Sequence, residues 1–449
     1  MEGETEPMSR VLPAIGVIPC LTEEKPMNRL IKPLLLIALL LTFTSALPVT
    51  KAADPVTISL WTLQFTGTGM DTINAIVEEF QAANPDIKVK VEMRGTDAHK
   101  EAVRVALNTD AAPDIFFTWS GPSQAGFYID SGGVQPLDDL YKQYNWGDRF
   151  SSVALKAVYY KDAYYGIPYT VHAMGLYYRK DLFEKAGITS VPTTYAELIA
   201  ANDKLVAAGI VPLSIGGKFG WNTMRLLDSL IEMTCGPDLH TQLKQLAATW
   251  NQECVTKAYT ELRRWVDSGY LPKNFLGIDP GEAKIPVYRG EAAMLYEGDW
   301  NVGTLITDGE DPATWDFFVF PTETKRLSFF VEMYLISKNS KHQAEAAKFA
   351  DFWTSTAVQQ KYLGAFSVAS PNKEVKTSES LVPLQLKWVD VINSYEGLYF
   401  PADQDLPNRL QFSFFQVQDN VISGSVSPAD AGAAMQAEIE AYLKNPQGK

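Results

Sequence analysis

Cysteine is scarce, with three in 449 residues (Cys20, Cys235 and Cys254), and none has metal-ligand spacing with a histidine. A zinc site and a disulfide-dense scaffold are therefore both excluded. Histidine is scarce too. His99, His172, His240 and His342 form no HExxH and no close pair, and no GxSxG elbow occurs, so the common hydrolase signatures are missing. The glycines of Gly216-Gly217-Lys218-Phe219-Gly220 lack the P-loop pattern and predict no phosphate cradle. Positive charge is short: 39 Lys and Arg against 53 Asp and Glu leave a formal −14. A surface of that sign repels a phosphate backbone, which removes nucleic acid as a partner. The apolar run Leu34–Phe43 is only about ten residues, too short to cross a bilayer comfortably. No internal repeat, low-complexity block or long linker is found.

Hydrophobic residues, at 46%, suffice for full-sized cores, and 20% charged residues is too few for a disordered chain. One core does not grow to 449 residues, so two domains are expected. Near the N-terminus, Met27–Lys32 is a short basic region and Leu34–Phe43 follows it. Small residues come next, with cleavage expected after Ala46 or Ala52. This is the pattern of a secretory signal peptide, with an uncleaved anchor as the alternative. Residues 1–26 lack that character, so Met27 reads as the true start and 1–52 as non-native start plus signal. Export to the periplasm is expected. Cell-surface anchoring is the weaker alternative, because Val17-Ile18-Pro19-Cys20 is a poor lipoprotein box. An oxidising compartment would pair Cys235 with Cys254; two free buried thiols are the alternative.

Val56–Thr62 alternates as a first strand, and Lys88–Met93 as a second. Between them Ile73, Ile76, Val77 and Phe80 lie on one helical face, stopped by Asn84-Pro85. Glu101–Asn108 reads as a helix and Asp114–Trp119 as a buried parallel strand. This alternation predicts a doubly wound α/β lobe, with ligand beyond the carboxyl ends of its strands, where Trp61 and Trp119 sit. Tyr164–Ile188 starts as a turn, becomes an apolar aromatic run with a lone His172, and ends at a charged helix start, as a segment crossing between two lobes would. Further on, Trp221–Met233 reads as a helix, and Gly298-Asp299-Trp300 as an exposed turn after a short strand.

Several local patterns now stand in a characteristic order. They are Phe80-x-x-x-Asn84-Pro85, Pro113-Asp114-Ile115 running into Trp119, and Gly133-Val134-x-Pro136-Leu137-Asp138. Tyr165-Gly166-Ile167-Pro168 then precedes Leu176–Phe183, and Gly290–Met294 precedes Gly298-x-Trp300. Together they resemble the extracellular solute-binding proteins of ABC sugar importers, family 1, related to the maltodextrin-binding protein. The resemblance implies an α/β, two-lobed periplasmic-binding-protein-like fold of type II, each lobe a sheet flanked by helices, with a ligand cleft between. The N-terminal lobe would be 53–168 plus 333–368, and the C-terminal lobe 169–332 plus 369–449. Crossings would fall near Tyr165–Tyr169, Phe330–Tyr334 and Phe366–Pro371. It further implies a monomer that binds without catalysis, cofactor or metal, and hands a neutral mono- or oligosaccharide to membrane permease subunits.

A sugar offers apolar C–H faces and many hydroxyls, so its site needs flat aromatics and polar partners. The resemblance makes Trp300 the aromatic platform of the second lobe and Trp119 that of the first, with Trp221 opening a helix beside them. Trp61 ends its strand as a further candidate, and Gln64 follows in the next loop. His172 stands where the maltodextrin-binding relative has an acidic ligand contact. Asp299 and Glu332 are candidate hydroxyl acceptors, with Tyr334 as neighbour, and Phe414 matches a C-terminal aromatic of the family. These candidates contain little Arg or Lys, which points to a neutral ligand. Two rival readings stay open: a secreted glycoside hydrolase or lyase using Asp299 and Glu332, and the same fold with a polyamine or sugar-acid ligand.

Overall fold

The computed structural model describes residues 54–65, 68–378 and 380–446. The signal peptide and the start at Met27 lie outside the described residues.

Alternation makes Val56–Leu63 (β1) and Ile87–Arg94 (β2) strands that bury Ile58, Leu60, Ile87 and Val89. Helix Thr68–Ala83 joins them, with Ile73, Ile76, Val77 and Phe80 turned to the core. Ile115–Trp119 (β3) is buried except at Trp119. β1 pairs in parallel with β2 and with β3, which is the expected strand–helix–strand order. The helix before β3 spans Thr96–Ala106 and so begins five residues ahead of the expected Glu101. Its polar first turn carries no apolar periodicity that would have marked it.

Six more strands complete the sheet: Gly166–Arg179 (β4), Val211–Ser214 (β5), Ala292–Gly298 (β6), Trp315–Phe318 (β7), Arg326–Ile336 (β8) and Gly397–Tyr399 (β9). The hydrogen-bonded order is β2-β1-β3-β8-β4-β6-β5, with β7 on β4 and β9 on β8. β8 is antiparallel to both β3 and β4, and the second half of β4 is antiparallel to β6.

Buried apolar side chains divide along this series. Ile58, Phe80, Phe116, Trp146, Ile167, Tyr169, Met333–Ile336 and Trp353 share one core. Leu176, Leu213, Leu230, Trp265, Phe330 and Phe414 share a second, with Tyr177, Phe317 and Trp388 in a cluster of their own. β4 changes core between Tyr169 and Ala173, and β8 between Phe330 and Met333. The ladder slips at this change: Glu332 faces Thr170 while Met333 faces Pro168, leaving Tyr169 unpaired across the strands. A third segment joins here, as Ala369 bridges to Val171.

Helix Trp221–Lys244 runs past its expected end at Met233, through a break at Gly236. Gly236 has φ 74°, and Pro237 then opens the second stretch, where a missing N–H costs nothing. Cys235 and Cys254 are disulfide-bonded, tying this break to the start of helix Glu253–Asp267. Among the described residues no helix is long and apolar enough to cross a membrane.

Candidate functional site

A cavity of about 430 Å³ opens where the two cores face each other. One wall comes from the end of β1 (Leu63, with Gln64 and Phe65), helix Thr96–Ala106 (Thr96, Lys100), Trp119 at the end of β3, and Gln124. The opposite wall holds Trp221, Met224 and Arg225 from the start of helix Trp221–Lys244, Glu297 and Trp300 around the end of β6, and Asp403 with Gln404. His172, Met174, Phe330 and Glu332 on β4 and β8 form the floor. The volume lies within the roughly 300–1,000 Å³ typical of small-molecule sites.

The aromatic faces are held by specific contacts. Trp119 packs against both cores, edge-on to Phe117 at 4.6 Å between centroids, and the Lys100 ammonium lies 4.8 Å from its ring. The guanidinium of Arg225 lies over Trp221 and Trp300, at 4.6 and 5.5 Å from their centroids. It is fixed in turn by donating to the Tyr296 carbonyl at 2.8 Å and to Glu297 Oε2 at 2.9 Å. Gly298 is what allows this arrangement: a Cβ there would stand 1.9 Å from the Trp300 ring.

The floor is a buried ionic chain. His172 Nδ1 lies 2.9 Å from Asp299 Oδ1, and Nε2 lies 3.3 Å from Glu332 Oε2. Burial opposes a charge on this ring, but the carboxylates of Asp299 and Glu332 outweigh burial and raise its pKa to about 10. His172 is therefore an imidazolium between two carboxylates, set edge-to-face against Trp300 at 5.0 Å. The Tyr169 hydroxyl donates to Glu332 Oε2 at 2.9 Å. Asp299 Oδ2 accepts from the Ser367 hydroxyl at 2.8 Å and from the Val368 N–H at 3.0 Å. The chain Tyr169–Glu332–His172–Asp299–Ser367 thus joins all three segments that meet where the cores change.

Of the ten residues singled out from the sequence, Gln64, Trp119, His172, Trp221, Trp300 and Glu332 line the cavity. The other four are placed elsewhere. Trp61 lies under the Arg94 guanidinium, 4.0 Å from its ring centroid, and packs on the first core. Asp299 was expected in an exposed turn but is 1% exposed, because the turn folds inward onto His172 and Ser367. Tyr334 shares a face with Glu332 but lies one step deeper, where Tyr169 stacks on it at 4.6 Å and Trp353 abuts its edge. Phe414 is fully buried in the second core against Trp250. The placement of Asp299 also undercuts the two-carboxylate hydrolase: bridged to Glu332 by His172, it is not aimed at a bond in the cavity.

Lys100, Arg225 and Asp403 reach the cavity and were missed. Arg225 stands four residues after Trp221, a helical spacing that could have found it. Lys100 was hidden by the polar helix start, and Asp403 by an irregular stretch without periodicity. Among the described residues no group of three or more His, Cys, Asp or Glu is arranged to hold a metal ion.

Comparison with known proteins agrees with this geometry. The profile of the bacterial extracellular solute-binding proteins matches residues 66–360. An uncharacterized ABC transporter extracellular-binding protein of Pyrococcus horikoshii is 23% identical over 380 residues, covering 84% of this chain and 85% of its own. The multiple sugar-binding protein of Streptococcus mutans is 25% identical over 359 residues, covering 74% and 80%. The solved structure of a chitin oligosaccharide binding protein, 23% identical, superposes with a TM-score of 0.78 over 87% of this chain and 100% of that one, a likeness of fold. The chain therefore belongs to the bacterial extracellular solute-binding protein family.

Proposed function

We propose that this protein is the substrate-binding component of an ABC importer, exported to the periplasm, where it captures a neutral sugar or oligosaccharide for permease subunits. The observation that carries this is the cavity itself, with Trp119 on one wall and Trp221 with Trp300 on the other. Indole faces suit the C–H faces of pyranose rings, and the polar groups between them suit hydroxyls. The neutral ligand is supported by charge cancellation. Arg225 pairs with Glu297, Lys284 with Asp308, and His172 with Asp299 and Glu332. Lys100 and Asp403 remain, with opposite signs. Names such as multiple sugar-binding protein and probable sugar-binding periplasmic protein among the relatives favour the same class.

The lobes are 53–168 plus 333–368 and 169–332 plus 369–449, supported by the change of core within β4 and β8. They close on ligand about the three adjoining segments as hinges, with no covalent chemistry. Small-angle scattering with and without a bound sugar tests this: a smaller radius of gyration with sugar is expected, and superimposable curves overturn it. Release of reducing ends beyond stoichiometry would replace the receptor with a hydrolase, and a melting temperature raised by spermidine rather than sugars would replace the ligand class.

A further inference from the structure

Two charges at the cavity differ from the rest. Lys100 projects from helix Thr96–Ala106, which packs on the first core through His99 and Val103. Asp403 projects from Ala402–Asp405, whose neighbours Ala402 and Leu406 belong to the second core. Both line the cavity. Among the described residues neither has an ion-pair partner within 4.0 Å, whereas every other charged side chain on the wall has one. Yet each is the strongest charge acting on the other. Burial also works against both, lowering the ammonium's pKa and raising the carboxyl's to about 6. A partly desolvated cation and anion on the lining of one cavity, with no ion pair between them, lack the direct contact that would offset their burial. A ligand group that accepts from one and donates to the other supplies that contact.

The backbone around Asp403 is already anchored to the opposite core. The carbonyl of Asp403 accepts from the Ser123 hydroxyl and from Gln124 Nε2 at 3.1 Å. Asn408 Nδ2 donates to the Ser123 carbonyl at 3.1 Å. Gly121, with φ 99°, admits the close approach, since a Cβ there would lie 2.2 Å from the Gln404 carbonyl oxygen. The loop that follows Trp119 therefore holds the segment carrying Asp403.

We propose that Lys100 and Asp403 are a hydroxyl clamp that reads adjacent hydroxyls of one sugar ring at the Trp119 end of the cavity. One hydroxyl oxygen accepts from Lys100 Nζ, and its neighbour's O–H donates to the Asp403 carboxylate. The clamp rests on the sugar-binding function proposed above and adds to it a substrate feature: free neighbouring hydroxyls on the ring beside Trp119.

The test is calorimetric titration of wild type, Lys100→Met, Asp403→Asn and the double variant with glucose, galactose, maltose, cellobiose and N,N′-diacetylchitobiose. The sugar that wild type binds most tightly is expected to bind each single variant roughly 10- to 100-fold more weakly, as for a lost hydrogen bond to a charged group. The double variant loses less than the product of the two, because both jaws hold one ring. The ligand-free melting temperature of the double variant stays level or rises, since it removes both partly desolvated charges together. A lowered ligand-free melting temperature with unchanged affinity would make the pair structural and overturn the clamp. Wild-type binding with unimpaired variants overturns the clamp alone. Failure of wild type to bind any of these sugars overturns the sugar-binding function, and the clamp with it.

Discussion

Replacing His172 by glutamine tests the ionic chain at the junction of the cores. His172, Asp299 and Glu332 are 3%, 1% and 8% exposed, so the variant leaves two buried carboxylates without their shared cation. Breaking a buried ion pair by removing one partner costs roughly 3–5 kcal/mol. Unfolding entropy of roughly 2.1 cal/mol/K per residue, over about 390 described residues, gives about 0.8 kcal/mol/K and a melting temperature lower by about 4–6 °C. The pH dependence has a definite sign. The folded pKa of His172 is raised from 6.5 to about 10, so its stabilisation is fully present below about pH 6.5 and is lost as pH rises through about 10. Differential scanning calorimetry of both proteins at pH 6, 8 and 10 should show the largest gap at pH 6 and a shrinking one above. Equal melting temperatures at pH 6, or a gap that does not narrow by pH 10, would refute an imidazolium bracketed by two carboxylates.

Trp300→Ala removes one aromatic wall, at the edge of the second core; calorimetry should show sugar affinity lower by roughly 30-fold or more, with the protein still folded and cooperative in its melting. Unchanged affinity would remove Trp300 from the site. Replacing Cys235 and Cys254 together by serine opens a link of sequence separation 19, worth about 3 kcal/mol by loop entropy, and urea denaturation should show that loss with sugar affinity intact. Asp403, at about 6 when ligand-free, is charged when it accepts from a hydroxyl, so affinity should be roughly tenfold weaker at pH 5 than at pH 7. Asp403→Asn should flatten that profile, and a slope that survives the substitution assigns the proton elsewhere.

The elements that were legible in the sequence are those whose periodicity reports burial on one face or both. β1, β2 and the helix between them show it, as does β3, whose unbroken apolar run ends at Trp119. Local pattern says less about depth. Glu332 and Tyr334 share a face of β8, and only the slipped ladder, with Tyr169 over Tyr334, separates a cavity residue from a core one. Asp299 follows a glycine and precedes a tryptophan, which looks like an exposed turn; its burial depends on Ser367, 68 residues away. Phe414 lies on a helix whose inward face points to the second core rather than to the cleft. Lys100 and Asp403 meet at the cavity only through tertiary packing of two distant segments, for which neither periodicity nor a short motif gives a signal.

In the proposed function the space between Trp119 and the Trp221–Trp300 pair takes a neutral sugar and returns it unchanged. Isothermal titration calorimetry of the wild-type protein with the mono- and disaccharides named above, followed by chromatography of the recovered ligand, examines binding and turnover together. Saturable binding of one sugar per chain, with the ligand recovered intact, is the result expected. Heat that continues with turnover of the sugar, or saturable binding of spermidine with none of the sugars, would contradict it.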